Sequence, residues 1–189
     1  KFKVSEISKI DVFTYCISLI IHDIGHIGVT NNEYANYILT FANDSSSEDS
    51  STSMYSYTNE DSYNEFNHIM LGYFLLQKHK IKINKGLFGK LISYTDLKIQ
   101  NTFLSKGLKY NPFYGNQVNN DLIIHNVLIL FIKIADIGHI IRPWNIHLQF
   151  VLNIHQERTT NLCIDEIVID TIQFNETFVL PLIKLMNEL

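Results

Sequence analysis

The string His22-Asp23-Ile24-Gly25-His26-Ile27-Gly28-Val29-Thr30-Asn31 holds the densest set of chemically capable side chains in the sequence. An adjacent histidine and aspartate at the end of an apolar run offer one metal ion a neutral nitrogen and a carboxylate oxygen. That mixture suits Zn, Fe, Mn or Mg, according to what else coordinates. His22 and His26 are four residues apart, the spacing of one helix face. Gly25 and Gly28 keep the surroundings small where a ligand could approach. The competing reading is a chance dipeptide, with His26 a capping or core histidine. Asp136 weighs against it. This residue closes the run Val127 to Ala135, and a carboxylate in that setting is costly unless it is paired or bound to a metal; a partner in Arg142 or Lys133 is the alternative. Glu65 and His68, one helix turn apart, either orient metal-bound water or form a solvated i, i+3 contact.

These groups have to be positioned by helices. Three prolines and eight glycines are few for a chain of 189 residues, and long breaker-free stretches favour helix over turn-rich β structure. Phe66, Ile69, Met70, Tyr73 and Phe74 follow the spacing of one apolar helical stripe. Leu122 to Asp136 is apolar on nearly every side, as a central helix would be, and Ile167 to Leu189 is helical with a kink expected at Pro181. Val12 to Ile21 and Val127 to Ala135 fall short of the ~18–20 residues of a membrane span and read as buried helices. Residues 43–56, rich in serine, read as a surface loop inserted in the domain, and Asn111 to Asn120 as a second loop. The sequence carries no internal repeat. A net charge of −4 argues against a nucleic-acid partner, which needs a basic face. Two distant cysteines, Cys16 and Cys163, fit a reducing compartment and form no CxxC motif.

Taken together, the strings resemble the catalytic domain of class I 3',5'-cyclic nucleotide phosphodiesterases, a branch of the HD-domain metal-dependent phosphohydrolases. The family's His-Asp-(Val/Ile)-x-His-x-Gly-x-x-Asn motif is similar to His22 to Asn31, and its segment ending in Leu-Glu-Asn-His-His resembles Asn59 to His68. Its Ala-Asp-(Ile/Leu)-Ser-(Asn/His)-Pro motif resembles Ala135 to His139, and a threonine-aspartate pair resembles Thr95-Asp96. A last block, Gln-x-x-Phe followed by Pro-Leu, resembles Thr171 to Leu182, with Phe174 at the phenylalanine. The resemblance implies an all-α, compact multi-helix domain spanning residues 1–189, here partial and lacking its N-terminal helices.

It implies two divalent ions, Zn2+ at the first site and Mg2+ or Mn2+ at the second, sharing a hydroxide that attacks phosphorus. His22, Asp23 and Asp136 would hold the first ion and Asp23 would bridge to the second. His26, Glu65 and His68 would hold surrounding waters, with Thr95 and Asp96 nearby. Phe174 would stack on the base, beside His139 and Thr171. The expected partner is a small-molecule cyclic nucleotide, cAMP or cGMP, hydrolysed to the 5'-monophosphate. The domain is expected in the cytoplasm, attached in the full protein to regulatory or membrane-spanning regions.

The sequence departs from the family at two points. The family carries upstream histidines, one of them the general acid, and none precedes His22 here, so the chain is expected to be a piece of a longer protein and impaired by itself. Thr171 stands where the family has a base-recognising glutamine, while Gln173 lies about 200° further round a helix, leaving base preference open. Another HD-domain nucleotide phosphohydrolase is the enzymatic alternative, and an inactive nucleotide-binding fragment the non-catalytic one. If Asp136 is a metal ligand, the Asp136→Ala protein is expected to lose stoichiometric zinc or manganese in elemental analysis of the purified chain.

Overall fold

The computed structural model describes residues 7–36, 62–99, 120–158 and 163–187. The serine-rich segment 43–56, Asn59 and the expected loop from Asn111 as far as residue 119 lie outside them, whereas Asn120 opens a helix. Among the described residues there is no strand, in keeping with an all-α fold. The elements are α1 (Lys9–Ile21), α2 (Tyr63–Lys78), α3 (Lys85–Ser93), α4 (Asn120–Asp136), a 3-10 segment (Ile137–Ile141), α5 (Trp144–Arg158), α6 (Ile164–Phe174), a π segment (Asn175–Val179) and α7 (Leu180–Met186).

Helix α4 is the axis of the molecule, as its apolar composition predicts. Ile124, Val127, Leu128, Ile129, Leu130 and Ile132 are buried, and they meet Leu87 and Leu91 of α3 and Leu182 and Leu185 of α7 in one core. A smaller cluster of Leu76, Phe88 and Ile92 joins α2 to α3. Because the 3-10 segment continues α4 without a break, the apolar stretch is longer than the sequence run suggests. It extends over Ile124–Ile141, 18 residues of mean hydropathy 1.7, which is enough to cross a membrane by length and composition alone. In this fold more than half of that stretch is buried inside the protein.

Two helices present faces other than those expected. The apolar run of α1 is not fully buried: Val12 and Phe13 are 44% and 43% exposed, and the residues it hides completely are Thr14 and Ser18. Their hydroxyls explain this. Ser18 donates to the Thr14 carbonyl and Thr14 to that of Ile10, so neither polar group is stranded. Thr14 Oγ1 also accepts from the Asn84 amide, the Asn84 side-chain NH2 donates to Asp11, and Asn84 Oδ1 accepts from the Leu87 amide. One asparagine therefore caps α3 and ties it to α1.

In α2 the buried line is Asn64, His68, Gly72 and Leu76, every fourth residue, and not the Phe66 to Phe74 stripe. Phe74 is 62% exposed. Small and polar residues take the inner face because α2 lies close to α3 and carries His68 toward the end of α1. Gly72 sits directly against the Phe88 ring, where an added Cβ would come within 2.6 Å.

The Ile167 to Leu189 stretch is helical but not continuous. Pro181 has no N–H to give, and the turn before it widens, with the Leu180 amide reaching back five residues to the Asn175 carbonyl. Gly72→Ala is expected to destabilise the fold by about 1–2 kcal/mol in urea denaturation. The ~1 kcal/mol alanine gains in helix propensity is outweighed by overpacking against a Phe88 ring that has no room to move.

Candidate metal centre and adjoining groove

Helix α1 ends at Ile21, and His22 begins a turn that Gly25 completes with φ +75°. A side chain at Gly25 would be strained in this left-handed region and would also meet Leu71 Cδ1 at 2.5 Å. The turn corrects the expectation that His22 and His26 share a helix face. His26 lies past it, with Nδ1 accepting from the Gly28 amide and Nε2 3.9 Å from Glu157 of α5.

The turn brings His22 to the C-terminal end of α4. His22 Nε2 lies 3.2 Å from Asp23 Oδ2 and 3.2 Å from Asp136 Oδ1, while its Nδ1 contacts the Leu19 carbonyl at 3.1 Å. The three side chains offer ligand atoms within 4.8 Å of one another. Among the described residues no other group of histidines, cysteines and acids is so close. Asp136 is thus paired with His22 and not with Arg142 or Lys133 in the first instance. Lys133 is buried and donates to the Asp96 carbonyl at 3.3 Å; burial pushes it down to about 8 despite Asp136, Asp96 and Glu65 nearby.

Electrostatics at this centre are those of an excess of carboxylate. Burial lowers the affinity of His22 for a proton, but the hydrogen bonds and charges of Asp136 and Asp23 overcome it and raise the ring to about 10. Burial likewise works against the charge of Asp23, yet His22, followed by His68 and His26, holds its carboxyl below the ordinary value. His68 is pushed the other way. Only 2% exposed, it is lowered to about 4, first by desolvation and then by the neighbouring histidines, against the pull of Asp23. Its Nδ1 stands 4.0 Å from Asp23 Oδ1, too far for a hydrogen bond, and neither ring nitrogen has a hydrogen-bond partner. The His26 and His68 rings lie 5.6 Å apart.

Glu65 and Asp96 flank this set. Glu65 Oε2 accepts from Asn31 Nδ2 at 3.2 Å, and burial followed by the charge of Asp96 raises its carboxyl. Asn31 Oδ1 in turn accepts the Asn64 amide at 2.7 Å, so the last residue of the first motif caps α2 from outside. Asp96 is buried, accepts from Ser62 Oγ and the Lys98 amide, and fixes the start of α2. Thr95 donates to the Ile92 carbonyl.

His139, Thr171 and Phe174 meet in one groove between α5 and α6. The His139 ring lies parallel to His147 and Phe150, each 5.2 Å away, and 6.3 Å from Phe174. His139 Nδ1 and His147 Nδ1 are 3.0 Å apart, one donating to the other, and burial and then His147 hold His139 below its ordinary value. Thr171 spends its hydroxyl proton on the Ile167 carbonyl at 2.7 Å. Sequence reasoning missed His147, His155, Asp170 and Glu157. A signal was present for two of them: His147, Val151 and His155 recur every fourth residue, the spacing of one helix face.

The opposite shifts of His22 and His68 can be checked by comparing variants with the metal-free wild type. His22 titrates at about 10 when folded against 6.5 unfolded, so its contribution is fully present below pH ~6.5 and is lost as pH rises toward 10. The stability lost in His22→Gln should therefore shrink between pH 6.5 and 9.5. His68 titrates at about 4 against 6.5, so the folded state is penalised as pH falls through that interval. His68→Gln should accordingly gain on wild type between pH 6.5 and 4.5 in thermal melts.

Comparison with known proteins identifies the family. The family profile described as 3'5'-cyclic nucleotide phosphodiesterase matches residues 1–189. The chain is 33% identical over 159 residues to the cGMP-specific 3',5'-cyclic phosphodiesterase alpha of Plasmodium falciparum (isolate 3D7), covering 80% of this chain and 16% of that protein's length. Its fold is similar to the crystal structure of the phosphodiesterase domain of the RhoPDE fusion protein from the choanoflagellate Salpingoeca rosetta, at TM-score 0.73 and 18% identity, over 97% of this chain and 63% of that one. The chain belongs to the 3',5'-cyclic nucleotide phosphodiesterase family.

Proposed function

We propose that this chain forms part of the catalytic domain of a cyclic nucleotide hydrolase, taking the phosphate at His22, Asp23 and Asp136 and the base in the aromatic groove. The observation that carries this reading is the continuity of the two sites. Asp136 ends α4, and His139, three residues on, lines the groove. A 3-10 segment rises about 2 Å per residue, so these positions are about 6 Å apart along its axis, the scale separating phosphate from base in one nucleotide.

The donor set fits a divalent ion. One nitrogen and two carboxylates converge, and the proton that His22 holds so tightly occupies the position of a cation. Binding there releases that proton, since a ligating histidine must be neutral. Zn2+ would suit the nitrogen-containing set of His22, Asp23 and Asp136, and Mg2+ or Mn2+ would suit a second, more hydrated site that Asp23, His26 and Glu65 would serve. Such ions supply charge for the phosphate oxygens and a nucleophilic water at neutral pH.

The chain's own residues do the rest. His68, neutral and buried, faces Asp23 at 4.0 Å and limits where that carboxylate can turn. Phe174 offers a face for the base, and the His139–His147–Phe150 stack forms the neighbouring wall. The name of the Plasmodium relative specifies cGMP, which makes guanine the base to test first.

The test is titration of the 189-residue chain with cGMP and cAMP in Mn2+, with 5'-monophosphate release followed in parallel. At least one cyclic nucleotide should bind, and Phe174→Ala should weaken it by about 5- to 100-fold in a variant that thermal melts show to be folded. A chain that binds neither nucleotide would remove the reading.

A further inference from the structure

We propose that Asp170, held in place by His155, reads the base in this groove and selects guanine over adenine; the inference rests on the cyclic nucleotide reading above. Among the described residues Asp170 is the one acid lining the groove, beside His139, His147, Thr171 and apolar walls from Val151, Ile154 and Ile167. Its side chain is half exposed. His155, which lines the same groove and is only 5% exposed, has Nδ1 at 3.6 Å from Asp170 Oδ2. The other nitrogen of His155, Nε2, is buried without a hydrogen-bond partner. A buried imidazole set against one oxygen of a carboxylate is a positioning device: it restrains the side chain and leaves acceptor capacity on the oxygens facing the groove.

The chemistry of the two purines then decides between them. Guanine presents N1–H and its 2-amino group side by side, two donors that one carboxylate can accept together. Adenine presents the N1 lone pair beside its 6-amino group, so a carboxylate gains one hydrogen bond and meets one repulsion. Stacking on Phe174 contributes no preference, because every base has a π-face. Thr171 has committed its proton to the Ile167 carbonyl and cannot donate to guanine O6.

Asp170→Asn separates this role from a structural one. Its amide can donate to adenine N1 and accept from the 6-amino group, and against guanine it can accept from N1–H while donating to O6, so the variant should gain cAMP affinity and lower the cGMP-to-cAMP ratio about 10-fold. Binding constants come from calorimetry of the chain in Mn2+, or KM where turnover occurs, beside thermal melts of each protein. His155→Leu should reduce the cGMP-to-cAMP ratio in the same direction through a less restrained carboxylate. A merely structural pair would shift the melting temperature and both nucleotides equally. If the amide perturbs folding, Asp170→Ser supplies the same comparison. Wild type and Asp170→Asn with the same cGMP-to-cAMP ratio, while Phe174→Ala still weakens binding, would overturn the role of Asp170 and leave the function standing. A wild-type chain that binds neither nucleotide would overturn both.

Discussion

Two helices far apart in sequence are joined by one imidazole. His22 Nε2 stands 3.2 Å from carboxylates on either side, Asp23 at the end of α1 and Asp136 at the end of α4. Neither carboxylate is a comfortable neighbour for the other, and each closes an apolar helix. A positive centre between them is therefore a condition of the architecture as well as of any chemistry. The pull of both carboxylates on the His22 ring meets that condition with a proton.

Around this junction the backbone is fastened by asparagines. Asn84 caps α3 while gripping Thr14 and Asp11 of α1, and Asn31 caps α2 while donating to Glu65. Both use the short, two-faced amide, which satisfies a helix-end N–H with its oxygen and reaches another element with its nitrogen. The polar inner faces of α1 and α2 follow from this. Thr14 and Asn64 are buried because these helices approach their neighbours through hydrogen bonds as much as through apolar packing, and Ser18 stays inside by bonding its own helix.

That pattern also accounts for what the sequence reveals and what it conceals. The central helix α4 and the cost of Asp136 are legible, because a continuous apolar run that ends in a carboxylate demands a partner for the charge. The meeting of His22, Asp23 and Asp136 follows from motif order together with the same reasoning about burial. Periodicity misleads for α2, where the stripe of large apolar residues is spaced correctly yet the helix turns its small and polar line inward, around Gly72 and His68. Helix spacing fails again at His26, since a glycine in the left-handed region ends the helix before the fourth residue is reached. The groove is legible in part: Phe174, Thr171 and His139 converge, but the wall contributed by α5 could be found only by reading the fourfold recurrence of His147, Val151 and His155 as a face.

The wide turn at Asn175–Val179 has a consequence for how the groove is tuned. Helix α7 is anchored in the core by Leu182 and Leu185, while α6 carries the groove residues and is exposed over much of its outer surface. A π segment holds one residue more than the α-helical turn it replaces, and each residue advances a helix by about 100°. The orientation of Asp170, Thr171 and Phe174 relative to the core is thus a matter of phase. A single-residue insertion or deletion between Phe174 and Pro181 acts as a gear, rotating the recognition face as a unit while the buried end stays where it is. A lineage can change what the groove presents without altering a residue that lines it.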